Sequence, residues 1–109
     1  MNSLFEECSD LALHCRDCII RANKFNMLAK CPVIRQMHET RPGDQIYLSD
    51  IPSSWPRITV DILHYLKNPA ELDMEEAVIA REAFHFFGCR YMRRAISKRI
   101  WYLRSLKKS

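Results

Sequence analysis

Two alternating apolar stretches stand only two residues apart near the start of this sequence, and they restrict the fold more than any other feature. In Leu11-Ala12-Leu13-His14-Cys15, Leu11, Leu13 and Cys15 fall on one face; in Cys18-Ile19-Ile20-Arg21-Ala22, Cys18, Ile20 and Ala22 do. Period-2 alternation marks half-buried strands. Arg16-Asp17 between them is short enough for a hairpin, although it lacks the glycine that the favoured two-residue turns use. A lone hairpin is marginal in water, so the rest of the chain must cover it.

That cover is helical. Asn23 suits a helix N-cap, with Phe25, Leu28 and Ala29 on one face of the helix it opens. Pro32 stops this helix and starts another, which carries Val33, Ile34 and Met37. Arg41-Pro42-Gly43-Asp44 is a turn, and Gln45-Ile46-Tyr47-Leu48 a third short strand. Ser53-Ser54-Trp55-Pro56 reads as a helix start with a serine cap, and Ile58, Ile62, Tyr65 and Leu66 as the face of a helix ending near Asn68-Pro69. Asp73-Met74-Glu75-Glu76 has the form of a capping box, followed by a stripe of Ile79, Ala83, Phe86 and Phe87 and by Gly88 as a C-terminal stop. Met92, Ala95, Ile96 and Ile100 define a last helix to about Leu103, with Ser105–Ser109 expected to fray. The fold class expected is α+β: a small three-stranded sheet flanked by five to six helices.

With 109 residues, 48% of them apolar, the chain is long enough for one domain with a real core. Residues 1–109 therefore read as a single domain, with its core over about 8–100 and a basic C-terminal helix and tail over 90–109. No apolar run approaches the ~18 residues of a membrane helix. The N-terminus has neither the basic region nor the apolar stretch of a secretory signal, so the expected location is cytoplasmic, nuclear or both, without membrane contact. All thirteen acidic side chains precede Gly88, whereas eight of the seventeen basic ones follow it. A basic run confined to one end is more often a solvated helix than a binding stripe, so nucleic acid is not an expected partner.

Five cysteines in a chain without an export signal argue against structural disulfides. Cys15-Arg16-Asp17-Cys18 is half a zinc motif, which Cys8, Cys31 or His38 could complete. A second tight pair is missing, and two cysteines flanking a hairpin turn are adequately explained as small hydrophobes, so no metal is expected. No nucleophile–base–orienter set, nucleophile elbow or phosphate loop is visible, and His14, His38, His64 and His85 are scattered. The expectation is a non-enzyme without catalytic residues or cofactor.

Several blocks resemble the BTB/POZ family. Asp10–Cys15 through Ile20-Arg21-Ala22-Asn23-Lys24 resembles its opening, with Asn23 where the family usually has His. Met27-Leu28-Ala29-Lys30-Cys31-Pro32-Val33-Ile34-Arg35-Gln36-Met37 resembles its Leu-Ala-Ala-x-Ser-Pro-x-Phe-x-x-Met, and Ile46-x-Leu48-x-Asp50-Ile51 its third strand and following Asp-Val. Ile62-Leu63-His64-Tyr65-Leu66 is similar to Phe-Ile-Tyr-Thr-Gly, and Ala83–Met92 to Ala-x-x-Leu-x-Cys-x-x-Leu. The resemblance covers about residues 8–100. Asp50-Ile51-Pro52-Ser53 is also similar to elongin C, which with the Skp-type adaptors shares this fold.

The resemblance implies a protein-interaction domain: a dimerising adaptor, or a modulator of one, in a cullin-RING ubiquitin ligase. The alternative it implies is a dimerisation domain of a transcriptional regulator that recruits corepressor. Homodimer formation would use the apolar Leu4 and Phe5. A charged pocket would use Asp10 and Lys24, whose bland counterpart is a surface ion pair worth ~0–1 kcal/mol. Cullin contact would use Met37 and Glu39, although the chain is several residues short after this point. Val33 and Ile34 lie four and three residues before Met37, which places Met37 at the boundary between core and surface. Glu39 is expected where the helix gives way to a loop.

Overall fold

In the computed structural model, which describes residues 9–107, β1 (Leu11–Cys15) is the middle strand of a sheet ordered β2-β1-β3. β2 (Ile19–Ala22) returns antiparallel, pairing Leu13 with Ile20 and His14 with Ile19. β3 (Gln45–Leu48) lies parallel on the opposite edge, pairing Leu13 with Ile46 and Cys15 with Leu48. A parallel neighbour cannot be reached by a tight turn, so a helical crossover must intervene. It consists of α1 (Lys24–Lys30) and α2 (Pro32–Thr40). After β3 come α3 (Ser54–Leu63), a 3-10 turn at Pro69–Glu71, α4 (Met74–Phe87) and α5 (Arg90–Lys107). The architecture is α+β, a three-stranded mixed sheet with five α-helices among the described residues.

All three strands fall where the sequence suggested them, two from alternation and β3 after its turn, and Arg16-Asp17 forms the hairpin turn, with the Cys15 N–H donating to the Cys18 carbonyl at 2.9 Å. This glycine-free turn is held from outside. The Arg16 guanidinium donates to the Asp50 carbonyl (2.8 Å), and Asp17 accepts from the backbone N–H and hydroxyl of Ser53. The Ser53 hydroxyl is thereby turned away from the cap expected of it, and no side chain caps α3. Pro56, in the first turn, has no N–H to leave unsatisfied.

One continuous core runs from Leu11, Leu13, Ile20 and Ala22 through Met27 and Ile34 to Phe84, Phe87, Ile96 and Ile100. Three expectations about faces and ends need correction. In α1 the buried side chain is Met27, while Phe25 is 82% exposed and Ala29 is exposed. Leu28, also on the expected face, is half-buried and packs against the core beside Met27. In α4 the buried stripe is Ala77, Ala80, Ala83, Phe84 and Phe87, with Ile79 and Phe86 only half-buried. The half-buried Phe86 ring packs instead against Trp55 of α3, with centroids 5.7 Å apart. α5 continues as helix to Lys107 rather than fraying from Ser105.

α3 also stops earlier than its apolar pattern suggests. The Leu66 N–H donates to the Asp61 carbonyl at 2.8 Å and the Tyr65 N–H to that of Ile62 at 3.1 Å, the double closure of a Schellman motif. Its left-handed residue is Tyr65, at φ 60°, where glycine is usual. The resemblance sets a glycine against Leu66, one residue later. Tyr65 and Leu66 are therefore exposed rather than packed. α4 begins and ends as expected, with both arms of the Asp73/Glu76 capping box formed and Gly88 at φ 75°.

The core assignment gives a direct stability test. Met27→Ala should cost about 2–5 kcal/mol, as deletion of a buried chain does. Phe25→Ala, on nearly the opposite side of the helix, should stay within about 0.5 kcal/mol. Urea unfolding of the two variants measures the contrast, and equal losses would contradict the orientation of α1.

Candidate functional site

The crossover helices and β3 enclose the first candidate site. Val33, Gln36, Met37, Thr40, Arg41, Gln45, Ile46 and Tyr47 line a groove of about 390 Å³. Met37 is half-buried and packs against the core, as its spacing from Ile34 and Val33 implied. Tyr47 points outward from β3, 54% exposed, because alternation sends Ile46 and Leu48 inward. Its ring stacks on His14 at 4.6 Å, and the Arg41 guanidinium lies 5.7 Å over it. His14 also hydrogen-bonds to the Gln45 side chain. The groove thus pairs a flexible, polarisable thioether with an anchored aromatic ring and a cation, groups suited to gripping a protein side chain.

Glu39 is placed differently from expectation. α2 continues through Thr40, so Glu39 lies in its last helical turn rather than in a loop. Residues two apart on a helix point to nearly opposite sides. Met37 therefore faces the groove while Glu39 is exposed, without a hydrogen bond or ion pair among the described residues. A partner touching both must wrap around the end of α2.

Asp10 and Lys24 do meet, but not as two charges. The Asp10 carboxylate accepts the backbone N–H of Lys24 at 2.7 Å. It satisfies one of the four free amides at the start of α1 from another segment of chain, and Asn23 satisfies a second by accepting from Asn26 at 2.8 Å. The ammonium of Lys24 forms no ion pair with Asp10; the charged pair among the described residues joins Lys67 to Glu76 at 2.6 Å. Leu4 and Phe5 lie outside the described residues, as does Cys8.

His64 forms a polar node that sequence reading passed over. Its Nε2 accepts the Asn23 backbone N–H at 2.9 Å, while Asn26 donates to the neighbouring Leu63 carbonyl at 3.0 Å. The backbone N–H of Asn23 can only donate, so the ring must be neutral at Nε2. Burial, reinforced by the nearby Lys30 charge, holds His64 below the ordinary imidazole value. Asn23 and His64 lie 41 residues apart, a pairing that no local pattern reveals.

The Cys15/Cys18 half-motif stays unassembled. Cys15 is half-buried, Cys18 is exposed, and burial pushes the Cys15 thiol up to about 11. Among the described residues no three His, Cys, Asp or Glu side chains converge as metal ligands do.

Two outcomes follow. Asp10→Ala should cost about 1 kcal/mol, the usual worth of a capping oxygen, and Lys24→Ala distinctly less, because only the backbone of Lys24 is used. Equal losses in thermal unfolding would restore the charged pair. For His64, the folded state resists protonation while the unfolded chain takes up a proton near pH 6.5. Its stabilising contribution is present above that value and is lost as pH falls through about 6.5 toward the lowered folded value. His64→Gln should flatten the fall in stability between pH 7 and 5, and an unchanged slope would contradict the node. Compared with known proteins, the chain matches no family model and no curated sequence at a significant level.

Proposed function

We propose that this chain is a protein-interaction domain of BTB/POZ type, acting in the cytoplasm or nucleus as a self-associating adaptor, or a modulator of one, for a cullin-RING ubiquitin ligase. The observation that carries this reading is the groove between α2 and β3, with Met37 on its wall and the unpaired Glu39 at its end. It lies at the position where the resemblance puts the cullin contact. The exposed ring of Tyr47 and the Arg41 guanidinium extend the surface toward the sheet edge. The corepressor alternative draws less support, since the Asp10 carboxylate is already engaged by a backbone amide. Binding is the activity proposed, without catalysis or a bound cofactor. No helix among the described residues is long and apolar enough to cross a membrane.

Titration against the N-terminal domain of a cullin tests the proposal. Anchor truncations typically cost about 2 kcal/mol, so Met37→Ala should weaken binding roughly thirtyfold and also lower the melting temperature. Glu39→Ala should weaken binding with no loss of thermal stability, because the carboxylate supports no part of the core. Absence of wild-type binding at about 50 µM, already weak on the affinity scale, would overturn the adaptor reading.

A further inference from the structure

Cys31 and Cys89 are 58 residues apart in sequence, yet their sulfurs lie 3.4 Å from each other in the interior. Each marks a helix junction. Cys31 closes α1 and opens α2. Cys89 stands just before α5, its carbonyl accepting the Arg93 N–H at 2.9 Å. Both are free thiols. A disulfide needs its sulfurs about 2.0 Å apart, so this pair is in van der Waals contact and a small side-chain movement from bonding distance.

The two thiols are not equivalent. Cys89 lines a cavity of about 440 Å³, together with Lys30, Tyr65, Arg90, Tyr91 and Met92 among others. Cys31 lies behind it with no exposure. Cys89 donates its S–H toward the Lys30 carbonyl and the Cys31 sulfur, each at 3.4 Å, and contact with Cys89 together with burial holds the Cys31 thiol well above the ordinary cysteine value. Lys30 and Arg90 give the cavity positive charge without an acidic lining residue. An anionic reagent would be drawn into it.

We propose that Cys31 and Cys89 form a redox-active dithiol that a small anionic disulfide of the glutathione class oxidises to an intrachain disulfide, with Cys89 the attacking and Cys31 the resolving thiol. The Cys89 thiolate attacks one sulfur of the reagent, whose S–S bond breaks and releases one thiolate. That thiolate takes up the Cys31 proton by way of solvent. The Cys31 thiolate then attacks the Cys89 sulfur, and the mixed disulfide breaks to release the second reagent thiolate, which takes up from solvent the proton that Cys89 gave up. Two protein thiols are oxidised and one reagent disulfide is reduced to two thiols. The product ties the α1–α2 junction to the α4–α5 junction and removes a thiol from the cavity wall.

The test uses the full chain, reduced and then incubated with glutathione disulfide. It is quenched in acid, alkylated and digested for mass spectrometry. In the folded chain the thiol count should fall from five to three, with a peptide pair linked through Cys31 and Cys89. The same treatment in urea sets the background of unguided pairing, and a 31–89 link no more abundant in the folded chain than in urea would overturn the proposal. So would oxidation confined to Cys8, Cys15 and Cys18. Cys31→Ser should trap a glutathione adduct on Cys89, while Cys89→Ser should leave Cys31 a thiol; an adduct on Cys31 in the second variant would refute the assigned order.

Discussion

Every other element is positioned by the double pairing of β1. Leu13 is paired with Ile20 on one edge and Ile46 on the other, and it is fully buried. The antiparallel edge needs only the two-residue turn at Arg16-Asp17, whereas the parallel edge demands a crossover. α1 and α2 supply that crossover, so the order of elements in the chain obliges α2 to finish beside the edge strand β3. The groove with Met37, Arg41 and Tyr47 is a consequence of this topology, not a local property of any one segment. A one-residue slip of β3 against β1 would turn Tyr47 inward and Ile46 outward, and would abolish it.

Polar contacts between distant segments hold the crossover in place. Asp10, just before β1, accepts from the first amide of α1. His64, just beyond α3, accepts from Asn23, and Asn26 reaches Leu63 beside it. Each contact satisfies a backbone group that would otherwise be stranded at an element end. Asp17 does the same for the start of α3. These groups resemble binding residues when read singly, because both roles call for an oriented polar side chain.

The parts of the fold legible in the sequence are those set by nearest neighbours along the chain. Period-2 alternation located β1 and β2, the turn cluster at Arg41–Asp44 announced β3, and Asn23, Pro32, Asp73/Glu76 and Gly88 marked helix boundaries through caps whose chemistry is local. What escaped depends on packing between segments. Phe25 and Met27 are both apolar, and only the seating of α1 on its neighbours decides which one is buried. The end of α3 was obscured because Tyr65, not glycine, takes the left-handed position. At the candidate site, Met37 was singled out by the resemblance, and its helical spacing from Val33 and Ile34 placed it at the edge of the core. Tyr47, His14 and Arg41 come from three different elements and are joined only by folding. Cys31 and Cys89 gave no signal of contact at all.

The surface between α2 and β3 is proposed as the place where this domain meets its partner. Chemical-shift mapping of the isotopically labelled full chain during titration with a cullin N-terminal domain tests it most directly. Docking through this groove should perturb the Met37 methyl and the amides of Val33, Arg41 and Tyr47 first, with Phe84 and the far end of α5 unmoved. Shifts confined to α5, or no shifts at saturating cullin, would contradict it.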